Sequence, residues 1–205
     1  MADIYIMRAC GVDTDSVLYP PERQLQVEST ANEKLKISRI ASWQALASGL
    51  RHSFGRDMRS VGFYRDGMGV WRCDDDGIRF SLSHSGGFAA AAVSGSDIGA
   101  DIELVEDGRS AERRAAVFNK IRTDGEAESF SPEQLLRLWT KKESIFKYSR
   151  RQVFRPSEIE TSLFPVKTYI VPSCGLIVSV CCRDNENRFY ECLGDGVLPL
   201  RAESI

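Results

Sequence analysis

Apolar positions in the first half of the chain predict a strand, one long helix and then several short strands. Alternation at residues 4–7 predicts an opening strand, and the polar stretch through Pro20 and Pro21 predicts a loop. Apolar residues then recur at helical spacing over residues 32–54, which predicts a helix capped by Ser29 or Thr30. Short β-like runs punctuated by glycine predict an antiparallel meander over residues 60–64, 78–83, 88–94 and 97–105.

The second half of the chain predicts two helical blocks followed by strands. One block begins near Ser110, and Ser131 with Gln134 forms a capping-box pattern that predicts a helix ending near Tyr148. Strands are predicted at residues 167–171, 176–182 and 188–192, and the last residues are predicted to be loose. This element order predicts an α+β fold of two similar halves, residues 1–95 and 96–205. No sequence repeat relates the halves, so their similarity rests on element order alone.

Charge and composition narrow the classes of function. The chain carries 27 Lys and Arg against 29 Asp and Glu, a formal net charge of −2, so it is no general polycation for nucleic acid. Its longest apolar run, residues 88–93, is far short of the ~20 residues that cross a bilayer. Asp3 stands where a secretory signal would be basic, and the six cysteines include no C-x-x-C pair. We therefore expect a cytoplasmic protein with reduced cysteines, no nucleic-acid partner and no membrane span.

A candidate cation site lies in the predicted strand D-I-G-A-D-I-E-L, residues 97–104. Strand alternation puts the apolar residues on one face and Asp101 with Glu103 on the other. Adjacent carboxylates repel each other unless solvent or a cation relieves them, and hard oxygen ligands suit Mg²⁺ or Mn²⁺. The segment is therefore either a solvated strand face or part of a metal site.

A second candidate is the helical segment W-T-K-K-E-S-I-F-K, residues 139–147. Helical geometry puts Glu143 and Lys147 one turn apart on one face, where an ordinary ion pair is the simplest interpretation. The longer stretch of residues 137–155 is also strongly basic in a chain that is net acidic. This stretch is either a solvated face or a surface that binds phosphates or an acidic partner. Its basic residues are Arg137, Lys141, Lys142, Lys147, Arg150, Arg151 and Arg155.

The third candidate is S-L-S-H-S-G-G, residues 81–87, which places His84 and several hydroxyls at a strand end before a glycine turn. Such a turn offers N–H and O–H donors to an anion. The G-x-S-x-G pattern of a nucleophilic serine is absent, and a structural histidine is the alternative interpretation.

Taken together and in this order, the three segments resemble the 4′-phosphopantetheinyl transferases. That family carries an S-H-S or S-H-C stretch, a G-[IV]-D-x-E strand and a W-[ST]-x-K-E-[SA]-x-x-K helix. The resemblance covers residues 80–147, and the chain length is similar to that of the single-chain surfactin-synthetase type. It implies two α+β halves with pseudo-two-fold symmetry, one active site between them, and a monomer.

The resemblance also implies roles for individual residues. Asp101, Glu103 and Glu143 would hold Mg²⁺, with Mn²⁺ as an alternative, while Lys147 would meet the pyrophosphate of coenzyme A. His84 would contact a coenzyme A phosphate. On the upstream helix, Arg39 is the best match to the family's arginine for the 3′-phosphate.

The chain departs from the family pattern at three places. Ala100 stands where the family usually has Ile or Val, a change on the packing face of the strand with little chemical consequence. The segment D-G-M-G-V-W-R-C-D-D-D-G-I-R-F, residues 66–80, lacks the lysine of the family's G-K-P stretch. Downstream of the D-x-E strand, Ile121 or Arg122 falls where the family has a glutamate, with Glu126 beyond.

We therefore expect transfer of the 4′-phosphopantetheine arm of coenzyme A to a serine of an apo acyl or peptidyl carrier protein, releasing adenosine 3′,5′-bisphosphate. Glu143, directly or through a water, is the expected base, with Lys147 as a second catalytic group. One alternative is a non-catalytic domain of the same fold that binds coenzyme A or a carrier protein. Another is a metal-dependent phosphohydrolase, which shares the carboxylates but gives no reason for the basic cluster.

Overall fold

The computed structural model describes residues 1–10, 12, 19–105, 117, 120–123, 125–126, 131–184, 186–194 and 196–205. Its helices are α1 (Pro21–Glu28), α2 (Glu33–Phe54) and α3 (Pro132–Ser149), with 3₁₀ turns at Met58–Ser60, Pro156–Glu158 and Thr161–Leu163. Its strands are β1 (Ala2–Arg8), β2 (Phe63–Arg65), β3 (Trp71–Cys73), β4 (Arg79–Ser85), β5 (Phe88–Ser94), β6 (Ile98–Leu104), β7 (Val166–Val171), β8 (Leu176–Cys182), β9 (Asn187–Leu193), β10 (Gly196–Leu200) and β11 (Glu203–Ser204).

The side chains of β1 are buried on both faces, and this sets the order of the layers. Tyr5 and Met7 join the core beneath α2, whereas Ile4 and Ile6 join a core that residues of β6 and β8 share. Because successive side chains of a strand point to opposite faces, β1 must lie between α2 and a second sheet. α3 packs on β6, β8 and β7, so the order of layers is α2, first sheet, second sheet, α3.

Two larger sheets form these inner layers. The first has the order β10-β9-β1-β5-β4, with β1 parallel to β9 and its other pairs antiparallel. The second has the order β11-β7-β8-β6 and is antiparallel. This arrangement confirms the predicted α+β class. The two-fold relation and the division at residues 95 and 96 stay predictions; β9 and β10, from the second segment, are hydrogen-bonded into the first sheet.

Local signals located several elements well. α2 follows its predicted span, and α3 begins with the predicted capping box on Ser131 and Gln134. The predicted N-cap of α2 is wrong, however, because Asn32 accepts the hydrogen bond from the Leu35 amide at 3.1 Å. Ser29 instead ends α1, a helix that was not predicted: the predicted loop ran through Pro20 and Pro21, and Pro21 is the first residue of this helix, a position where proline is favoured.

Strand pairing differs from the sequence prediction in two places. The predicted antiparallel meander is confirmed for β4 and β5, which pair with each other. It is wrong for the other strands, since β2 and β3 form a separate hairpin and β6 pairs with β8 in the second sheet. The C-terminal residues are not loose, because β10 and β11 pair with β9 and β7. The helical block predicted near Ser110 lies outside the described residues. Within the described residues, helices long and apolar enough to cross a bilayer are absent.

Candidate active site

Strand β6 presents its carboxylates as the alternation predicts. Ile98, Ala100 and Ile102 enter the core between the sheets, and Asp101 lies on the opposite face. Asp101 is buried, whereas Glu103 is half-buried.

Gly99 lets α3 lie directly on this face of β6. A Cβ atom at position 99 would stand 2.1 Å from the Ser144 carbonyl oxygen and 2.4 Å from the Tyr148 amide nitrogen. Contacts this short are possible only without a side chain. The close approach brings Lys147 to β6, where its Nζ donates to the Ala100 carbonyl at 3.1 Å and to Asp101 Oδ1 at 2.8 Å.

Buried hydroxyls add a second attachment of α3 to the sheet. Thr140 Oγ1 lies 2.8 Å from Ser179 Oγ on β8, which in turn lies 2.9 Å from Thr168 Oγ1 on β7. All three residues are almost fully buried, so each hydroxyl needs such a partner. Together with Gly99, this chain of hydroxyls fixes which face of α3 meets β6.

Serines of β4 hold the carboxylates of β6 from the other side. Ser83 Oγ donates to Asp101 Oδ1 at 2.7 Å, and Ser85 Oγ donates to Glu103 Oε2 at 2.6 Å. This role was not predicted from the sequence, although the serines repeat with the same period of two as the carboxylates. The segment S-L-S-H-S therefore joins the first sheet to the second.

The carboxylate of Asp101 has one oxygen available to a ligand. Oδ1 accepts from both Ser83 and Lys147, while Oδ2 is buried and has no hydrogen-bond partner among the described residues. An unpaired buried carboxylate oxygen is costly, and a cation would relieve that cost. This observation fits Asp101 to a hard divalent ion.

Glu143 lies within electrostatic reach of the two β6 carboxylates. The pKa of Glu143 is raised to about 7, chiefly by burial; Lys147 lowers it, and the charges of Asp101 and Glu103 raise it. The structure thus brings the three predicted metal ligands into one region. In the described part of the chain, however, no three such side chains are already gathered in a geometry that holds a metal. The donor chemistry fits Mg²⁺, whereas a formed coordination shell is not seen.

His84 lies within electrostatic reach of Arg39 and of the Lys147 and Asp101 charges. His84 is exposed at the end of β4, yet desolvation by surrounding atoms lowers its pKa, as do the charges of Lys147 and Arg39. Arg39 Nη1 donates to the Gln26 carbonyl oxygen at 3.3 Å and to Thr30 Oγ1. Three cationic or basic side chains from α2, β4 and α3 therefore act on one another.

The seven basic residues of positions 137–155 do not form one exposed surface. Lys142 is fully buried, and Lys147 turns to Asp101. Three arginines, at positions 137, 150 and 155, pair with Glu133, Asp97 and Glu158. In the described residues, Arg151 donates at 3.4 Å to the Glu158 backbone oxygen and to no carboxylate.

Lys142 is a structural residue that sequence reasoning counted as part of a basic face. Its Nζ donates to the Ile121 carbonyl at 2.6 Å, to Glu126 Oε2 at 2.9 Å and to the Pro156 carbonyl at 3.0 Å. These bonds tie the segments before and after α3 to the helix, next to Glu143. The only sequence signal for this partnership was the acid at position 126.

Comparison with known families agrees with the geometry. The family model of the 4′-phosphopantetheinyl transferase superfamily matches residues 97–190, slightly less than half of the chain. The matched segment contains Asp101, Glu103, Glu143 and Lys147, whereas Arg39 and His84 lie outside it. The α+β architecture with a mixed sheet is compatible with that superfamily. No curated protein matches the chain.

Proposed function

We propose that this protein transfers the 4′-phosphopantetheine arm of coenzyme A to a serine hydroxyl of an apo acyl or peptidyl carrier protein, releasing adenosine 3′,5′-bisphosphate. The observation that carries the proposal is the hydrogen bonding of the two carboxylate oxygens of Asp101. Within the segment that matches the superfamily, one oxygen of this carboxylate is held by Ser83 and Lys147, and the other is buried without a partner in the described residues.

Asp101, Glu103 and Glu143 would hold Mg²⁺, or Mn²⁺ in its place. A bound ion would neutralise the negative charge that develops on the 5′-phosphate of the departing adenosine 3′,5′-bisphosphate. Lys147 adds a positive charge beside the same carboxylates and would turn part of its hydrogen bonding from Asp101 to a phosphate oxygen. His84 and Arg39 would bind the other phosphates of coenzyme A, as their mutual electrostatic influence supports.

Glu143 is the group that would accept the proton of the carrier serine, directly or through a water. A base works best when its pKa lies near the working pH. In the protein without a bound cation the pKa of Glu143 is raised to about 7, chiefly by burial. The serine oxygen would attack the β-phosphorus of coenzyme A, and the bond from that phosphorus to the bridging oxygen would break. The leaving phosphate would carry away the electron pair.

The carrier protein would approach near the C-terminal end of α3. Arg151 is the side chain we assign to an acidic partner, because Arg150 and Arg155 already pair with Asp97 and Glu158. Arg151→Glu should raise the KM for the carrier and leave that for coenzyme A unchanged. Arg201→Glu is the control for charge reversal at an exposed arginine, although it also breaks the ion pair of Arg201 with Glu203. Equal KM values for the carrier in both variants would contradict this docking site.

One chain supplies every element of the site, namely α2, β4, β6 and α3, so we propose a functional monomer. Light scattering that shows an obligate oligomer would contradict it. All six cysteines carry free thiols, which supports a reducing, cytoplasmic location.

Intact mass spectrometry tests the proposed reaction. Apo acyl and peptidyl carrier proteins are incubated with the protein, coenzyme A and Mg²⁺, and the carrier should gain one phosphopantetheine arm. Asp101→Ala and Glu143→Ala should abolish the gain, whereas Glu203→Ala, at an exposed site, should keep it. Binding of coenzyme A without any mass gain would indicate a non-catalytic domain. Full activity of Asp101→Ala would place the metal site elsewhere.

A further inference from the structure

The edge strands of the two larger sheets run side by side and are joined by serine side chains. β4 is the last strand of the first sheet and β6 the last strand of the second. The amides of Ala100, Ile102 and Leu104 donate to the hydroxyls of Ser81, Ser83 and Ser85 at 3.0, 3.3 and 3.3 Å. The contacts advance by two residues on both strands, so the three serines form a regular ladder.

We propose that Ser83 and Ser85 are positioning residues that fix the carboxylates of Asp101 and Glu103 for a divalent cation. The inference rests on the proposed function, because the cation belongs to the proposed reaction. In this role the hydroxyls of the S-L-S-H-S segment position carboxylates, whereas the sequence predicted that they donate to a bound anion.

The chemistry of a hydroxyl makes the orientation specific. A serine hydroxyl has one proton to donate and lone pairs that accept. Since the Ile102 amide occupies a lone pair of Ser83 Oγ, the proton is directed to Asp101 Oδ1 at 2.7 Å. Ser85 repeats the arrangement, accepting from Leu104 and donating to Glu103 at 2.6 Å.

The consequence for Asp101 is a fixed rotamer. Ser83 from β4 and Lys147 from α3 both bind Oδ1, so the other oxygen is held in one place, buried and without a partner among the described residues. A carboxylate fixed before the cation arrives loses less side-chain entropy on binding. Hydrogen-bond partners of metal ligands typically change metal affinity by about 10- to 100-fold when removed.

Ser81 provides a matched control on the same ladder. It is as buried as Ser83, but its hydroxyl bonds only to the backbone of Ala100, accepting from the amide and donating to the carbonyl oxygen at 3.4 Å. Ser81→Ala therefore removes a rung between the sheets without touching a carboxylate.

Titration with Mn²⁺, followed by the electron paramagnetic resonance of the free ion, tests the inference with and without coenzyme A. The dissociation constant for Mn²⁺ should rise about ten-fold in Ser83→Ala and in Ser85→Ala, and by less than about two-fold in Ser81→Ala. Ser85→Thr, at a half-buried position, keeps a hydroxyl and should restore the affinity. Melting temperatures of all variants report whether they are folded, and Ser85→Ala carries the test if Ser83→Ala does not fold.

The outcomes separate this inference from the proposed function. If the wild-type protein binds Mn²⁺ and modifies the carrier while all three alanine variants bind Mn²⁺ alike, the positioning role is overturned and the proposed function stands. If the wild-type protein binds no Mn²⁺ under either condition, the metal-dependent reaction and the positioning role fall together.

Discussion

Single residues in this protein show how burial changes chemistry. Cys181 and Cys192 are buried free thiols, and burial raises their pKa values to about 12 and about 11. Burial also raises the pKa values of Cys73 and Cys182. These thiols are weak nucleophiles in the folded state, because the thiolate is the reactive form.

The raised thiol pKa values predict that alkaline pH destabilises the fold. An unfolded thiol ionises near pH ~8.5, whereas the folded state keeps these protons to higher pH. The stability they contribute is therefore complete below that pH and is lost as the pH rises through the folded-state values. Each such thiol steepens the loss by up to ~1.4 kcal/mol per pH unit. Urea unfolding with a reductant at pH 7.5 and pH 10 measures it, and Cys192→Ala should show a smaller loss between the two. An unfolding free energy that is the same at both pH values would contradict the prediction.

At the scale of elements, the position of α3 on β6 determines the candidate site. The capping box begins the helix, and the amphipathic sequence turns one face to the sheet. The site nevertheless depends on how closely α3 approaches β6, because Lys147 reaches Asp101 only when the helix lies directly on Gly99.

Gly99→Ala should push α3 away from β6. The added Cβ would overlap backbone atoms of Ser144 and Tyr148, which cannot yield without moving the helix. Overpacking of this kind costs about 1–3 kcal/mol or more of unfolding free energy. Urea unfolding measures the loss, with Gly67→Ala as the control because a Cβ there meets nothing within 4 Å. If the two variants unfold at the same urea concentration, the close approach is not required.

Lys142 and Glu126 form a buried ion pair. Replacing Lys142 alone should lower the free energy of unfolding more than replacing both residues together. Lys142→Met leaves the largely buried Glu126 carboxylate without its cation, which costs about 3–5 kcal/mol of unfolding free energy. The double variant with Glu126→Gln removes the stranded charge and should recover part of the loss. A double-mutant cycle from urea unfolding gives the coupling, and simple additivity of the two changes would rule out the pair as a stabilising unit.

Across the whole molecule, residues far apart in sequence form one hydrogen-bond network that joins strands of the first sheet to α2. Asp3 on β1 accepts two hydrogen bonds from Arg188 on β9, at 2.7 and 2.8 Å, and one from Ser53 of α2 at 2.6 Å. Tyr5 continues the network to Ser53 and His52, both at 2.7 Å. One buried carboxylate thus links the start of the chain, the long helix and a strand near the end.

Asp3→Asn should destabilise the entire fold although it preserves the shape of the side chain. It removes the charge that receives three hydrogen bonds, and a bond to a charged group contributes about 1.5–3 kcal/mol. We expect a loss in that range by thermal or urea unfolding, reduced by the exposure of Arg188 to solvent. Glu203→Gln, which breaks an exposed pair with Arg201, is the control and should change stability by less than about 0.5 kcal/mol. Equal effects of the two substitutions would show that the network adds nothing to the fold.

Local patterns were enough to find the elements with strong local signals. The spans of α2, β5, β8 and α3 follow from periodicity, glycine boundaries and a capping box, which act over a few residues. The C-terminal end of the chain was predicted less well. β10 and β11 have few local signals and exist because β9 and β7 offer them edges. Pairing of this kind depends on contacts across the whole chain.

The order of residues along the chain is enough to establish which side chains share a face: Asp101 with Glu103 on one strand, and Glu143 with Lys147 on one helix turn. Backbone geometry alone fixes those relations, since strand and helix periods are constant. Which side chains meet those faces depends instead on how the elements pack in three dimensions. This packing turned Ser83 and Ser85 to the carboxylates and buried Lys142 against Glu126, because desolvated charges and hydroxyls must find partners wherever the packed elements bring them.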